Sequence, residues 1–254
     1  MRSLFPEVRR RLPPFLRCCP IATYRSISRF SGGRIAALSP HTPGRPADAG
    51  ALLQAVRRAG RTILSEYESK QVCALHQIPC VETCLAHNED EAVDAAVQLG
   101  FPVTIKLHSH TLLHHGQGPA IARIDVRQAA GVRQAWQEIR QQVIDRHGRQ
   151  HFLGVTVQPT LAGDGREFFV HAESQSNSGP LLRHGVSLPS GAAANAGSPC
   201  ELPPDDARRF EPLLEHSRHL LTANPGIREM NLQPLILAGD QLLGLGAQIV
   251  LQSS

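Results

Sequence analysis

Lysine is nearly missing from this 254-residue chain, which has only Lys70 and Lys106 against 24 arginines. Arginine therefore supplies almost all of the positive charge, and the lysine inside the apolar stretch 103–107 stands out. A lysine ammonium is a compact point charge that suits phosphate, but a lysine at a strand edge can also simply extend its head group into water. Both interpretations of Lys106 are open from this residue alone.

Long apolar runs and aromatic residues are also scarce. No run approaches the roughly 18 apolar residues that a membrane helix needs, so we expect a soluble protein without a membrane partner. Aromatic residues make up 4% of the chain and form no recognisable nucleic-acid motif with the basic residues, so we expect no nucleic-acid partner. Hydrophobic residues make up 41%, enough for the core of one large or two small domains.

The six cysteines do not indicate a zinc site. The closest set, Cys73, Cys80 and Cys84, has a spacing that matches no zinc-ligand pattern. Reduced, partly buried thiols in a cytoplasmic protein are the simplest interpretation.

Positive charge is concentrated near the N terminus. The first 60 residues hold eleven arginines against two acidic residues, a net charge of +9, whereas the remainder holds 15 basic and 20 acidic residues, a net charge of −5. The segment 1–46 is rich in proline and is expected to be irregular. Its composition fits a mitochondrial transit peptide, a nucleic-acid-binding arm or the remnant of an inter-domain linker.

From residue 47 onward, helical and strand patterns alternate, which indicates an α/β or α+β fold. Ser65 and Glu68 form a capping-box pattern that predicts the start of a helix. Further helices are predicted over 47–60, 88–100, 128–147 and 205–222, strands over 80–86, 103–109, 119–126, 152–161 and 166–174, a flexible loop over 185–200 and a two-stranded hairpin over 229–251. In this hairpin, Asn231 and Gln233 share one strand face.

Several segments occur in an order that resembles one family. They are GRTILSEYESKQVCALHQIPCVET, DEAVDAAVQLGFPVTIKL, LGVTVQPTLAGDGREFFV, SGPLL, ELPP and REMNLQPLI, spread over roughly 47–251. Together they resemble the ATP-grasp domain of NDP-forming acyl-CoA synthetases, including the fused type that serves as bacterial protein lysine acetyltransferases. The upstream residues resemble the stretch that joins this domain to a CoA-ligase domain, which favours the linker-remnant interpretation of 1–46.

The resemblance implies a fold and a reaction. It implies α+β lobes that close on a nucleotide, with a first lobe over 47–126 and a second over 127–254. It also implies an acid–CoA ligase cycle, in which ATP, a phosphohistidine, an acyl phosphate and CoA are linked. The phosphohistidine and CoA sites belong to segments outside the match, so we expect dependence on a separate CoA-binding subunit.

Individual residues of the ATP site follow from the same resemblance. Lys106 matches a phosphate-contacting strand lysine, and we expect it to be the only lysine of the site. Residues 157–159 match a hinge strand whose backbone meets adenine. The hinge residues are Val157, Gln158 and Pro159. The other matched positions are Glu167 at the start of the next strand, His114 in the loop after Lys106, and Gly179 and Gly185 of a glycine loop.

The sequence also departs from the family. Val186, Ser187 and Leu188 stand where the glycine loop has further glycines, so fewer backbone amides can close over a phosphate. Asn231 and Gln233 stand at a family metal site that carries Asp and Asn, and Gly246 at a further Asp. Amide oxygens can bind magnesium, but without formal charge the affinity falls.

Four histidines in and after the strand of Lys106 offer an alternative metal site. Its members are His108, His110, His114 and His115, and no carboxylate or helical spacing supports it.

Two functional hypotheses remain. The chain is either an ATP-binding, catalytically impaired or partner-dependent ligase subunit with a weakened magnesium site, or a non-catalytic nucleotide-binding or interaction module of a decayed gene.

Overall fold

The computed structural model describes residues 48–112, 121–161, 165–175, 179–187 and 204–253, all within one compact unit spanning 34–254. The predicted basic segment 1–46, His114 and most of the predicted flexible loop 185–200 lie outside the described residues. No helix within the described ranges is long and apolar enough to cross a membrane.

Five α-helices are described, and side chains cap the first three. Asp48 caps α1 (Ala49–Arg58), Ser65 and Glu68 form the predicted capping box of α2 (Glu66–Leu75), and Asn88 caps α3 (Glu89–Leu99). Each cap oxygen accepts a backbone N–H that the first helical turn leaves without a partner. The longer helices are α4 (Ala129–His147) and α5 (Pro204–Ala223).

The first sheet is antiparallel throughout. Its strands are β1 (Cys84–Ala86), β2 (Val103–His108), β3 (Ala122–Val126) and β4 (Gly154–Pro159), in the order β1-β4-β2-β3. The strand predicted over 80–86 is shorter than expected because Pro79 and Val81 hydrogen-bond to Gly244 of the other sheet instead.

The second sheet contains β5 (Phe168–Glu173), β6 (Leu181–Val186), β7 (Ile227–Ala238), β8 (Gln241–Gly244) and β9 (Ala247–Leu251). Its order is β6-β5-β7-β8, and β9 also pairs with β7. The predicted two-stranded hairpin is therefore wrong in its second half, which forms two short strands. The return is interrupted at Leu245, whose N–H donates to the carbonyl of Pro234.

Two hydrophobic cores lie against the two sheets. One contains residues of α3, α4 and the first sheet, and the other contains residues of α1, α2, α5 and the second sheet. The sheets do not follow the boundary predicted at residue 126, because β4 lies beyond it and pairs with β1 and β2. Since α1 and α2 pack on the second sheet, the chain crosses between the cores more than once.

Candidate functional site

Lys106 lies in the interior of the first sheet and reaches out of it. Its backbone is paired with Ala122 of β3 and Thr156 of β4. Its ammonium donates to Glu66 Oε1 at 2.8 Å and to the carbonyl of Leu245 at 2.9 Å, and its side chain is 17% exposed. The lysine therefore meets α2 and the β8–β9 connection at the junction of the two sheets.

Lys70 occupies the same junction as Lys106, although only Lys106 is predicted as a lysine of the site. Its Nζ lies 2.9 Å from Glu66 Oε1 and donates to Gln158 Oε1 at 2.7 Å and to Thr83 Oγ1 at 3.1 Å. The scarcity of lysine that drew attention to Lys106 applied equally to Lys70. The capping box also placed both Lys70 and Glu66 on one helix, one turn apart.

Glu66 is the anion shared by both lysines. Burial alone would raise its pKa, but the charges of Lys70 and Lys106 and their hydrogen bonds lower it to about 2. Burial lowers the pKa of Lys106, and Glu66 opposes that effect. The junction thus holds two ammonium groups and one carboxylate that are buried or partly buried, with an excess of positive charge.

The predicted hinge strand ends at the same junction. Val157 is fully buried and lies opposite Cys84 of β1 and Ile105 of β2, whereas Pro159 lies past the end of the ladder with β1. The Gln158 side chain accepts the hydrogen bond from Lys70. This side-chain role was not predicted, and the contact between the hinge backbone and adenine stays a prediction.

A second group of matched residues meets at one end of the second sheet. The backbone N–H of Ser187 donates to the carbonyl of Glu167 at 2.7 Å, and Gln233 Nε2 donates to Ser187 Oγ at 3.4 Å. The Glu167 side chain is exposed. Gly185 lies in β6 opposite Phe169, so the chain enters this corner directly from the predicted glycine loop.

Gly179 precedes the same strand and has a φ of +75°, a conformation that glycine adopts readily. No described contact joins Gly179, Gly185 or Glu167 to Lys106. Their part in holding a nucleotide stays a prediction.

The predicted metal ligands lie on β7 as a pair. Asn231 is paired with His171 of β5 and Gln248 of β9, and both Asn231 and Gln233 are partly buried on one strand face. Gly246 cannot act as a side-chain position here. A Cβ atom at Gly246 would lie 2.4 Å from the carbonyl oxygen of Gln233, closer than real Cβ atoms approach.

Metal-binding side chains are not gathered elsewhere in the described ranges. No three His, Cys, Asp or Glu side chains there are grouped so that they could hold a metal ion. The rings of His108 and His110 are 5.4 Å apart, and burial, with a smaller effect of His110, lowers the pKa of His108 to about 4. The residues present therefore do not fit a carboxylate-based magnesium site, and the histidine hypothesis lacks support from His108 and His110.

The ATP-grasp domain family model matches residues 55–196, more than half of the chain. Residues of this chain are 28% identical over 135 positions to the β subunit of ADP-forming acetate–CoA ligase II from Pyrococcus furiosus, covering 53% of this chain and 56% of that protein. The β subunit of ligase I from the same organism is 27% identical over 142 positions, covering 56% and 60%.

Solved structures show the same fold. A dinucleotide-forming acetyl-coenzyme A synthetase 1 from Ca. Korarchaeum cryptofilum, in complex with coenzyme A, Ca-AMPCP and HgCl+, has a TM-score of 0.68 and 22% identity, covering 81% of this chain and 100% of that chain. The chain spans only slightly more than half the length of the two curated ligase subunits. The family match and the shared fold agree, and the chain belongs to the ATP-grasp domain family.

Proposed function

We propose that this chain binds ATP at the junction of the two sheets, with the phosphates at Lys106. The observation that carries the proposal is the placement of Lys106. It extends from the first sheet to the β8–β9 connection of the second, so an anion bound to it would contact both halves of the molecule. Phosphate binding by a buried, charged donor is strong because few water molecules compete for it.

The ammonium group has a donor to spare for this role. A lysine carries three N–H donors. Two of those of Lys106 are used by Glu66 and Leu245, and the third meets no acceptor among the described residues. In contrast, the three donors of Lys70 have Glu66, Gln158 and Thr83 as acceptors. Lys106 is therefore the better candidate for direct contact with phosphate.

Adenine is proposed to lie where β4 leaves the sheet. Pro159 extends past the last β1 partner of β4, and Gln158 is held by Lys70. Lys70 contacts Glu66 as well, so one helix connects the proposed adenine end to the proposed phosphate end. Glu167, Gly179, Gly185 and His114 are proposed to complete the nucleotide site, as the resemblance implies.

We further propose that the chain serves an ADP-forming acid–CoA ligase as its nucleotide-binding part. Two curated relatives are named as β subunits of such ligases, which supports a separate CoA-binding partner subunit. By itself, the chain is expected to show little or no acyl-CoA ligase activity. Formation of ADP and acyl-CoA from ATP, CoA and a small acid by this chain alone would overturn that expectation. A cytoplasmic location belongs to the same proposal and is supported by the free thiols of Cys73, Cys80 and Cys84.

The alternative is a non-catalytic nucleotide-binding or interaction module. It is favoured by the corner around Ser187 and Gln233, where neutral side chains replace charge, and by Gly246, which has no room for a carboxylate. ATP binding without turnover, even with a CoA-binding partner added, would select this alternative. Binding of magnesium is proposed to be weak in either case, because amide oxygens carry no formal charge.

Calorimetry with ATP tests the nucleotide site. Removal of a charge-assisted phosphate contact costs about 1.5–3 kcal/mol, so Lys106→Ala should weaken ATP binding at least about tenfold. Arg123→Gln is the matched control, because Arg123 lies on the neighbouring strand β3 but pairs with Glu138, away from the junction. Equal ATP affinity for Lys106→Ala and the parent would refute the proposed site.

A further inference from the structure

The two lysines of the entire chain meet one carboxylate oxygen. Glu66 Oε1 lies 2.8 Å from Lys106 Nζ and 2.9 Å from Lys70 Nζ. Glu66 opens α2, whereas Lys106 comes from β2, 40 positions further along the chain. A contact of this kind between separate elements fixes the direction of a long, flexible side chain.

Lys106 sits in surroundings that oppose its charge. Burial lowers its pKa, and the neighbouring ammonium of Lys70 lowers it further, whereas Glu66 and Cys80 raise it. The carbonyl of Leu245 accepts one of its hydrogen bonds. Among the charged groups on α2 that face Lys106, Glu66 favours the protonated form and Lys70 opposes it.

We propose that Glu66 is a positioning residue for Lys106, since its negatively charged carboxylate holds Lys106 Nζ against the Leu245 carbonyl and leaves one donor free for a polyphosphate. The inference rests on the proposed nucleotide site. It assigns to Glu66 no contact with the nucleotide itself. Its effect on ATP therefore passes through Lys106.

Replacing Glu66 by glutamine separates charge from shape. Glu66→Gln keeps the size of the side chain but leaves Lys70 and Lys106 without their shared anion, so Lys106 loses its proton at a lower pH. A neutral amine attracts phosphate far less than an ammonium group. ATP binding by Glu66→Gln should therefore weaken as pH rises, whereas binding by the parent should change little.

The scarcity of lysine makes a direct test practical. With 13C-labelled lysine, the full chain gives signals from only two side chains, which Lys106→Arg assigns. In Glu66→Gln, the titration midpoint of Lys106 should fall by at least about one pH unit. Glu68→Gln is the matched control, because Glu68 lies in the same helical turn but pairs with Arg61. An unchanged Lys106 midpoint in Glu66→Gln would overturn the inference, and this experiment needs no nucleotide.

Calorimetry with ATP and with adenosine completes the test. From about pH 6.5 to about pH 9, the ratio of ATP to adenosine affinity should fall about tenfold or more in Glu66→Gln and stay nearly constant in the parent and in Glu68→Gln. A structural defect alone would weaken both ligands together. A parent-like ratio in Glu66→Gln would contradict the role of Glu66. Failure of the parent to bind ATP would instead refute the proposed nucleotide site. The lysine titration would then still test the effect of Glu66 on Lys106.

Should Glu66→Gln not fold, Glu66→Asp provides the second variant. The shorter acid keeps the negative charge but cannot reach both lysines as Glu66 does. We expect its Lys106 midpoint to stay within about half a pH unit of the parent value while its ratio of ATP to adenosine affinity falls several-fold. A parent-like ratio in this variant would contradict the positioning role.

Discussion

The two ends of the candidate site differ in charge: the residues around α2 are charged, and the predicted metal ligands on β7 are neutral. Around α2, a partly buried group of charges forms, in which Glu66 pairs with both Lys70 and Lys106. Around β7, the Gln233 side chain donates to the hydroxyl of Ser187 within the described part of the chain, and Gly246 lies against the Gln233 carbonyl. A charge that is shielded from water is stable only when it is paired. Replacement of any one of these three charged residues by a neutral residue is therefore expected to destabilise the group. The proposed phosphate-binding end therefore contains charged groups that pair with one another, whereas the residues proposed for the metal-binding end are neutral.

The largest expected effect comes from breaking the charged end. Lys70→Met leaves Gln158 and Thr83 without their donor and weakens the neutralisation of Glu66. Removing one partner of a buried ion pair costs about 3–5 kcal/mol, and we expect a loss of stability in this range by urea denaturation. Arg123→Met breaks an exposed pair with Glu138 and should cost at most about 1 kcal/mol. Similar losses in the two variants would contradict the contrast.

The second largest effect is expected at low pH, where the fold should lose stability as Glu66 and Glu68 become protonated. The pKa of Glu66 and that of Glu68 are each lowered from 4.5 to about 2, where burial is outweighed by lysine and arginine partners respectively. A carboxyl with a lowered folded-state pKa stabilises the fold above its unfolded pKa, and that stabilisation is lost as pH falls from about 4.5 to about 2. The loss is on the order of 3 kcal/mol for each group.

Urea denaturation at closely spaced pH values would measure this loss. Glu66→Gln and Glu68→Gln should each show a shallower decline of stability in the acid range, since each lacks one of the titrating groups. A parental slope that stays unchanged in both variants would mean that other carboxyl groups control acid unfolding.

Particular residues show how far the sequence predicts the structure. The capping box of Ser65 and Glu68 is predicted correctly because the start of a helix depends on side chains only a few positions apart. The ATP-grasp fold was also predicted and is confirmed. Lys70 and Glu66 were missed as site residues, because their contacts with Gln158 and Lys106 join positions 88 and 40 residues apart. Such contacts leave no local pattern in the sequence.

Gly246, beside the predicted metal ligands on β7, also has a contact that the sequence does not predict. Alignment to a family aspartate suggests that a carboxylate could be restored there, but the adjacent Gln233 carbonyl leaves no space for a Cβ. We expect Gly246→Asp to destabilise the fold by about 2–3 kcal/mol through forced backbone movement. Asn231→Asp, on the same sheet and already carrying a side chain, is the control and should cost less by thermal or urea unfolding. Equal stability of Gly246→Asp and the parent would show that the β8–β9 connection yields easily.

The smallest expected effect is that of magnesium on ATP affinity. It distinguishes a weak magnesium site at Asn231 and Gln233 from a strong one. Asn231 and Gln233 offer neutral oxygens, and the described residues provide no cluster of three metal-binding side chains, so magnesium should change the ATP affinity of the parent less than about threefold. The double variant Asn231→Asp, Gln233→Asn restores a formal charge without using Gly246, and its ATP affinity should gain dependence on magnesium. Gln54→Glu, which adds an acid on the exposed side of α1, controls for the change in net charge. Calorimetry with and without magnesium measures both effects. A strong dependence of the parent's ATP affinity on magnesium would show that the neutral amides, or other ligands, bind magnesium well. The contrast between the two ends of the site would then be wrong.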